Sequence, residues 1–302
     1  MRLASVWQRI PVIVRAVVGG VLVTGAVTIP WSMLASANFR YWPSIPWSAL
    51  VAAPVLWLYW QYLKGRGWPA STVAARRINL GLRSLSSDVW GMALFAGMIG
   101  LGALLAFQAV LARLVPLPPE QQMPDVSRMP VPTMAVLVIM GSLVAGFTEE
   151  AGFRGYMQGA IARRHGPVAA ILVSGTVFGF AHFTHPTVGL AHLPYYIAVS
   201  AVFGMLAYLT GSIMPGVVLH AFGDAFDGLL LVTSGRSTWP EPPPSKGLVW
   251  EAGTDLAFWG LCAWAGLWIL GAVLTYRFLA GEVRAERKLD HRLSETPVQL
   301  LR

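Results

Sequence analysis

Glu149, Glu150, Arg154, His182, His220, Asp224 and Asp227 are ionisable side chains set inside runs of apolar residues. A charge at the centre of a bilayer costs roughly 2.5 to 3.5 kcal/mol on insertion scales, so such groups line a cavity, pair with one another, or do chemistry. Glutamate and histidine together supply what peptide hydrolysis needs. A buried carboxylate can act as a base toward water near neutral pH, or oxygen and nitrogen ligands can hold a Lewis-acid metal that activates it. Neither route needs a serine or cysteine nucleophile.

The residues fall into three groups. In Thr148-Glu149-Glu150-Ala151-Gly152-Phe153-Arg154 the spacing makes Glu150 and Arg154 i and i+4 neighbours on a helix, so the cation can neutralise and orient that carboxylate. Glu149 then points about 100° away, at roughly 3.6 residues per turn, and is left for another partner. A plain interhelical ion pair is the structural alternative for this group. In Phe178-Gly179-Phe180-Ala181-His182, Phe178 lies one turn before His182 and can pack on the imidazole, while Gly179 permits close approach of a neighbouring helix. A satisfied core histidine is the alternative here. In His220-Ala221-Phe222-Gly223-Asp224 an imidazole and a carboxylate share one helical face, suited to a metal, a water or an oxyanion. Asp227 falls on much the same side and can equally mark the approach to a membrane boundary.

The elements that must carry these groups are membrane helices. Of the 302 residues 55% are hydrophobic and only 12% charged, with a mean hydropathy of +0.58; a soluble domain carries about 25% charged residues. Windows of roughly 20 apolar residues give an all-α, polytopic membrane helical bundle of about eight transmembrane helices, near 14–34, 46–63, 89–114, 132–150, 167–184, 194–210, 213–233 and 255–279. The chain divides into N-terminal transmembrane helices (1–130), a central helical core (131–233), and a last helix with a basic tail (234–302). A basic loop (64–88) and two proline-rich loops (116–132 and 234–253) separate segments. The apolar run from Pro11 to Leu34, longer than a signal-peptide core, reads as a retained signal anchor.

Lys and Arg test this count. With a cytoplasmic N-terminus, the inside segments hold 15 of them and the outside segments only Arg40, Arg128, Arg236 and Lys246, while Arg15, Arg113 and Arg154 lie in the spans. The positive-inside rule therefore favours an even number of spans with both ends cytoplasmic. The net charge of +8 reflects topology and attraction to anionic lipid, not a nucleic-acid footprint. Cys262 stands alone, which excludes an intramolecular disulfide and a cysteine zinc site.

The groups read EExxxR, FxxxH and HxxxD, in that order, each on its own apolar segment. With the wider texts E-E-A-G-F-R-G-Y, F-G-F-A-H and Y-L-T-G-S-I-M-P-G-V-V-L-H-A-F-G-D, the stretch from Leu137 to Leu230 resembles the CPBP family of intramembrane proteases. That family includes the type II CAAX prenyl endopeptidases and the bacterial Abi and bacteriocin-processing or immunity proteins. The resemblance implies endopeptidase action on a membrane-associated protein or peptide, which can be lipidated. Carried over by position, Glu149 looks like the glutamate that activates water, helped by His182. His220 and Asp224 look like the pair that completes the water or metal site, and Glu150, Arg154 and Phe178 look like supporting residues. Family members often have Asn where this chain has Asp224, which exchanges a hydrogen-bond donor for an anion and favours metal or water ligation there.

A divalent metal, zinc before others, on Glu149, His182, His220 and Asp224 is the expected cofactor, although no HExxH pair fixes it. The expected location is a multi-pass protein of a bacterial inner membrane. Two readings from other classes stand beside the protease: a non-catalytic binding or immunity protein of the same fold, and an ion- or proton-coupled transporter, against which the lack of an inverted repeat counts. Depth leaves one tension. At 1.5 Å per residue Glu149 and His182 come roughly 22 Å from their boundary, but His220 only about 10 Å from the turn near Gly211. A helix must be broken, tilted or begun inside the membrane.

Overall fold

Backbone amides in lipid must find partners within their own segment, so long apolar runs fold as helices, and the described parts of this chain are mostly helical. The computed structural model describes residues 7, 9–116, 129–183, 189–234 and 247–295. Most of both proline-rich loops lies outside the described residues, as do Arg2, Arg128, Arg236, Lys246 and Arg302 of the charge count.

The order is α1 (Val12–Tyr41), α2 (Trp47–Leu63), a short 3-10 turn (Ala70–Thr72), α3 (Val73–Leu80), α4 (Ser87–Leu114) and α5 (Val131–Glu149). A π-helix (Glu150–Gln158) continues α5 directly into α6 (Gly159–His182). After a second 3-10 turn (Leu190–His192) come α7 (Leu193–Thr210), α8 (Met214–Thr233), the single turn α9 (Val249–Ala252) and α10 (Leu256–Glu295).

All eight expected apolar segments are helical. Six helices among the described residues are long and apolar enough to cross a membrane. Two features account for the different count. α2, with 17 residues, is slightly short, and Val131–His182 runs as one 52-residue stretch. That stretch is divided at Gly166, whose φ of 81° and ψ of 167° leave the helical region, and Pro167 removes the next amide donor. The break between the expected spans 132–150 and 167–184 therefore falls at this kink.

Packing puts the π-helix at the centre. α1 lies on one side of it, where the Thr24 hydroxyl donates to the Thr148 carbonyl at 3.3 Å and the Thr28 and Thr148 hydroxyls meet at 2.9 Å. α6 and α7 cover another side, with Phe153, Met157, Ile161, Ala170 and Phe178 forming a buried cluster. α5 packs along α8, and α4 along α10 through Val89, Ala93, Ala96, Leu279 and Val283.

The depth tension has a physical answer at the α7–α8 turn. Ser212 and Ile213 are buried, because the segment after α3 closes over them. The Arg83 amide donates to the Gly211 carbonyl at 3.3 Å, and the Ile213 amide to the Gly81 carbonyl at 3.0 Å. α8 thus begins inside the protein rather than at its surface, and His220 reaches the level of the glutamates after fewer residues than a surface start would need.

Candidate active site

Glu149 closes α5 and Glu150 opens the π-helix, so one backbone sends two adjacent carboxylates toward α8. A π-helix is rare, occurs mostly as short interruptions of α-helices, and is frequent at functional sites. Here its wider turn still leaves Arg154 next to Glu150, with Arg154 Nη1 3.4 Å from Glu150 Oε1 and both side chains wholly buried. The guanidinium is sandwiched by rings: its Cζ lies 4.6 Å from the Phe178 centroid and 5.4 Å from that of Phe203. Cation–π attraction strengthens when both groups are removed from water, as these are.

α8 supplies the imidazole. His220 Nδ1 is 3.2 Å from Glu150 Oε1, while Nε2 lies 3.8 Å from Glu149 Oε2 and 3.5 Å from Asp224 Oδ2. Carboxylates thus stand at both ring nitrogens. Exposure grades outward across the set. Glu150 has none, the side chains of His220 and Glu149 keep 15% and 16%, and that of Asp224 keeps 48%. The inner carboxylate is locked by Arg154, and the outer edge is where a substrate or water can arrive.

This approach depends on Gly216. A Cβ there would stand 2.7 Å from Glu150 Oε2, so a larger residue would push that carboxylate from its place between Arg154 and His220. Pro215, at the start of α8, occupies a position where its missing amide hydrogen costs no helical bond.

His182 joins through aromatic rings. Its Nδ1 is 2.8 Å from the Phe178 carbonyl, one turn earlier on the same helix. The ring is 4.4 Å from Phe178, edge-on, and 4.5 Å from Tyr196 on α7 at a 31° tilt. The expected contact between Phe178 and His182 is present, and Phe178 also bears on Arg154, so one ring touches two of the three motifs.

Of the residues singled out from sequence, Glu149, Glu150, Arg154, His220 and Asp224 meet directly, and Phe178 connects His182 to them. Asp227 is exposed on α8. Sequence reasoning missed the direct contact of His220 with Glu150, the π-helix, and the rings of Tyr196 and Phe203. Phe203 flanks both charged partners, 5.5 Å from His220. Neither aromatic residue carries a local signal, because each sits in a uniformly apolar helix.

Among the described residues no group of three or more His, Cys, Asp or Glu side chains is arranged to hold a metal ion. The carboxylates of Glu149 and Asp224 lie beside His220 Nε2 as ion-pair partners, and His182 Nδ1 is engaged by a carbonyl.

The family model described as Type II CAAX prenyl endopeptidase Rce1-like matches residues 131–226, the stretch from the start of α5 to most of α8. The match supports the resemblance of the three motifs to the CPBP family and, in general terms, an intramembrane endopeptidase. No curated protein and no solved structure matches the chain.

Proposed function

Taking that protease family as premise, we propose that the chain hydrolyses a peptide bond of a membrane-associated protein or peptide, with water as the nucleophile. The observation that carries this reading is the convergence of Glu149, Glu150 and Asp224 on the two nitrogens of His220. In the proposed reaction Glu149 takes a proton from a water whose oxygen attacks the scissile carbonyl carbon. The proton then passes to the departing amine as the carbon–nitrogen bond breaks, leaving a new carboxylate and a new amine.

His220 holds the water's second hydrogen-bonding position and stabilises the charge of the tetrahedral intermediate through Nε2, beside Asp224. Glu150 fixes the ring from Nδ1, and Arg154 fixes Glu150. His182, its ring held by Phe178 and Tyr196, is assigned to help Glu149 activate the water. Metal assistance, with zinc as the first candidate, is a separate proposal that the side-chain geometry does not itself motivate.

The test is to reconstitute the purified protein in liposomes with membrane proteins from a strain lacking it, in water enriched in oxygen-18. Hydrolysis predicts new C-termini that carry the heavy isotope. Their absence at every protein-dependent cleavage would overturn water attack. Repeating the reaction after full chelation decides the metal: retained cleavage rejects metal assistance, and cleavage lost on chelation and restored by zinc supports it.

A further inference from the structure

A second charged region lies away from the glutamates, on the segment between α2 and α4. A cavity of ≈ 520 Å³ is lined by Lys64, Arg66, Arg77, Leu80, Leu82 and Arg83. Four cations thus border one space. Arg83 is neutralised from α10, 2.9 Å from Glu286 and 3.7 Å from Asp290, and its Nη1 lies 3.5 Å from the Thr210 carbonyl. Arg77 donates only Nε, to the Lys64 carbonyl at 3.1 Å, which leaves its two outer nitrogens for another partner. Among the described residues the side chains of Lys64 and Arg66 make no ion pair or hydrogen bond.

The lining is held in place from below. Arg76 is buried under the loop, donates to the carbonyls of Tyr62 (2.6 Å), Arg66 (2.9 Å) and Gly67 (3.0 Å), and lies 4.0 Å over the Tyr62 ring. A fixed loop that gathers Lys64, Arg66 and Arg77 beside the already paired Arg83 raises the local potential and is suited to a multivalent anion. Guanidinium and ammonium groups together match phosphate oxygens.

Position decides what carries the phosphate. The loop joins two apolar helices, so it lies at a membrane surface. Trp68 is 87% exposed and Ile78 63% exposed on the same segment, as expected of side chains resting in the interfacial layer. We propose that this cavity binds a phosphate group, presented by an anionic phospholipid headgroup. Such binding also bears on the scaffold of the candidate active site. Leu80, in the cavity wall, packs with Ala151 of the π-helix and Val217 of α8, and the carbonyls of Asn79 and Leu80 lie against Gly155.

The experiment uses the full chain in detergent and titrates phosphatidylglycerol, phosphatidylcholine and inorganic phosphate, with bound lipid counted by native mass spectrometry. Phosphatidylglycerol should bind at least tenfold more tightly than phosphatidylcholine. The double variant Lys64→Gln/Arg66→Gln, whose side chains support nothing inside the protein, should weaken phosphatidylglycerol by about thirtyfold, since each basic residue near an anionic surface contributes about fivefold. The charge-matched double variant Arg277→Gln/Arg284→Gln on exposed α10 should leave it unchanged within about threefold. Displacement of phosphatidylglycerol by phosphate alone would assign the free ion as a competing source of the same group, and failure of phosphate to displace it would assign the lipid. Equal losses in the two double variants, or equal binding of the two lipids, would overturn the proposal.

Discussion

Glu149 and Glu150 are adjacent in sequence and opposite in circumstance, and that difference assigns their roles. Glu150 is enclosed between Arg154 and His220 Nδ1, whereas Glu149 faces Nε2 at the partly open side. A carboxylate with both neighbours fixed serves orientation; one with a free edge can take a proton. Glu149→Gln keeps the shape and removes the base, so turnover should fall by about 10²- to 10⁴-fold with the melting temperature unchanged, measured as kcat in proteoliposomes. Arg154→Ala should behave in the opposite way. Removing one member of a buried pair leaves its partner charged and unmatched, which typically costs about 3 to 5 kcal/mol, and a thermal or denaturant melt of the purified variant checks it. Wild-type stability in that variant would mean that water reaches the pair. The i, i+4 relation of Glu150 to Arg154 was legible in the sequence, because such a contact is local. The Glu150–His220 contact spans 70 positions and depends on how two helices rotate against each other, which packing decides and neither segment encodes alone.

At the scale of elements the three motifs meet from the α5–π-helix junction, the end of α6 and α8, with α7 adding the rings of Tyr196 and Phe203. Hydropathy located all of them, since a segment in lipid has few backbone choices besides a helix. It did not reveal the π-helix, because the residues of Glu150–Gln158 satisfy an α-helix equally well and the register change shows only in how the backbone bonds. Nor did it reveal that the α7–α8 turn is buried, which follows from the segment after α3 folding over it. Gly216 measures how closely α8 must approach. Gly216→Ala should cost about 1 to 3 kcal/mol by overpacking and should depress turnover by displacing Glu150. Gly223 gives an internal comparison on the same helix, since a Cβ there meets nothing within 4 Å. Gly223→Ala should be neutral or stabilise by up to about 1 kcal/mol through helix propensity. Paired melts and rates of the two variants test the approach directly, and equal behaviour would refute it.

For the whole molecule the governing constraint is that charge in an apolar bundle is gathered in defined places. One is the cluster of carboxylates around His220 at the π-helix, and another is the basic loop between α2 and α4. The excess of Lys and Arg on one set of loops, together with eight helical segments, predicts that both termini face the same side of the membrane. Reporter fusions at each end should report the same compartment, and opposite compartments would remove one span from the count. Overall class was the most legible feature, because composition alone excludes a soluble domain; substrate is not legible, because cavity walls are built by helix packing rather than by any one motif. The central claim is that Glu149 and His220 form one hydrolytic unit. It is tested most directly by profiling protein-dependent new termini in proteoliposomes with the intact chain, Glu149→Gln, His220→Gln and the double variant. A shared unit predicts that either single change removes the cleavages and that the double variant loses no more than each alone. Undiminished cleavage by folded Glu149→Gln or His220→Gln protein would contradict it.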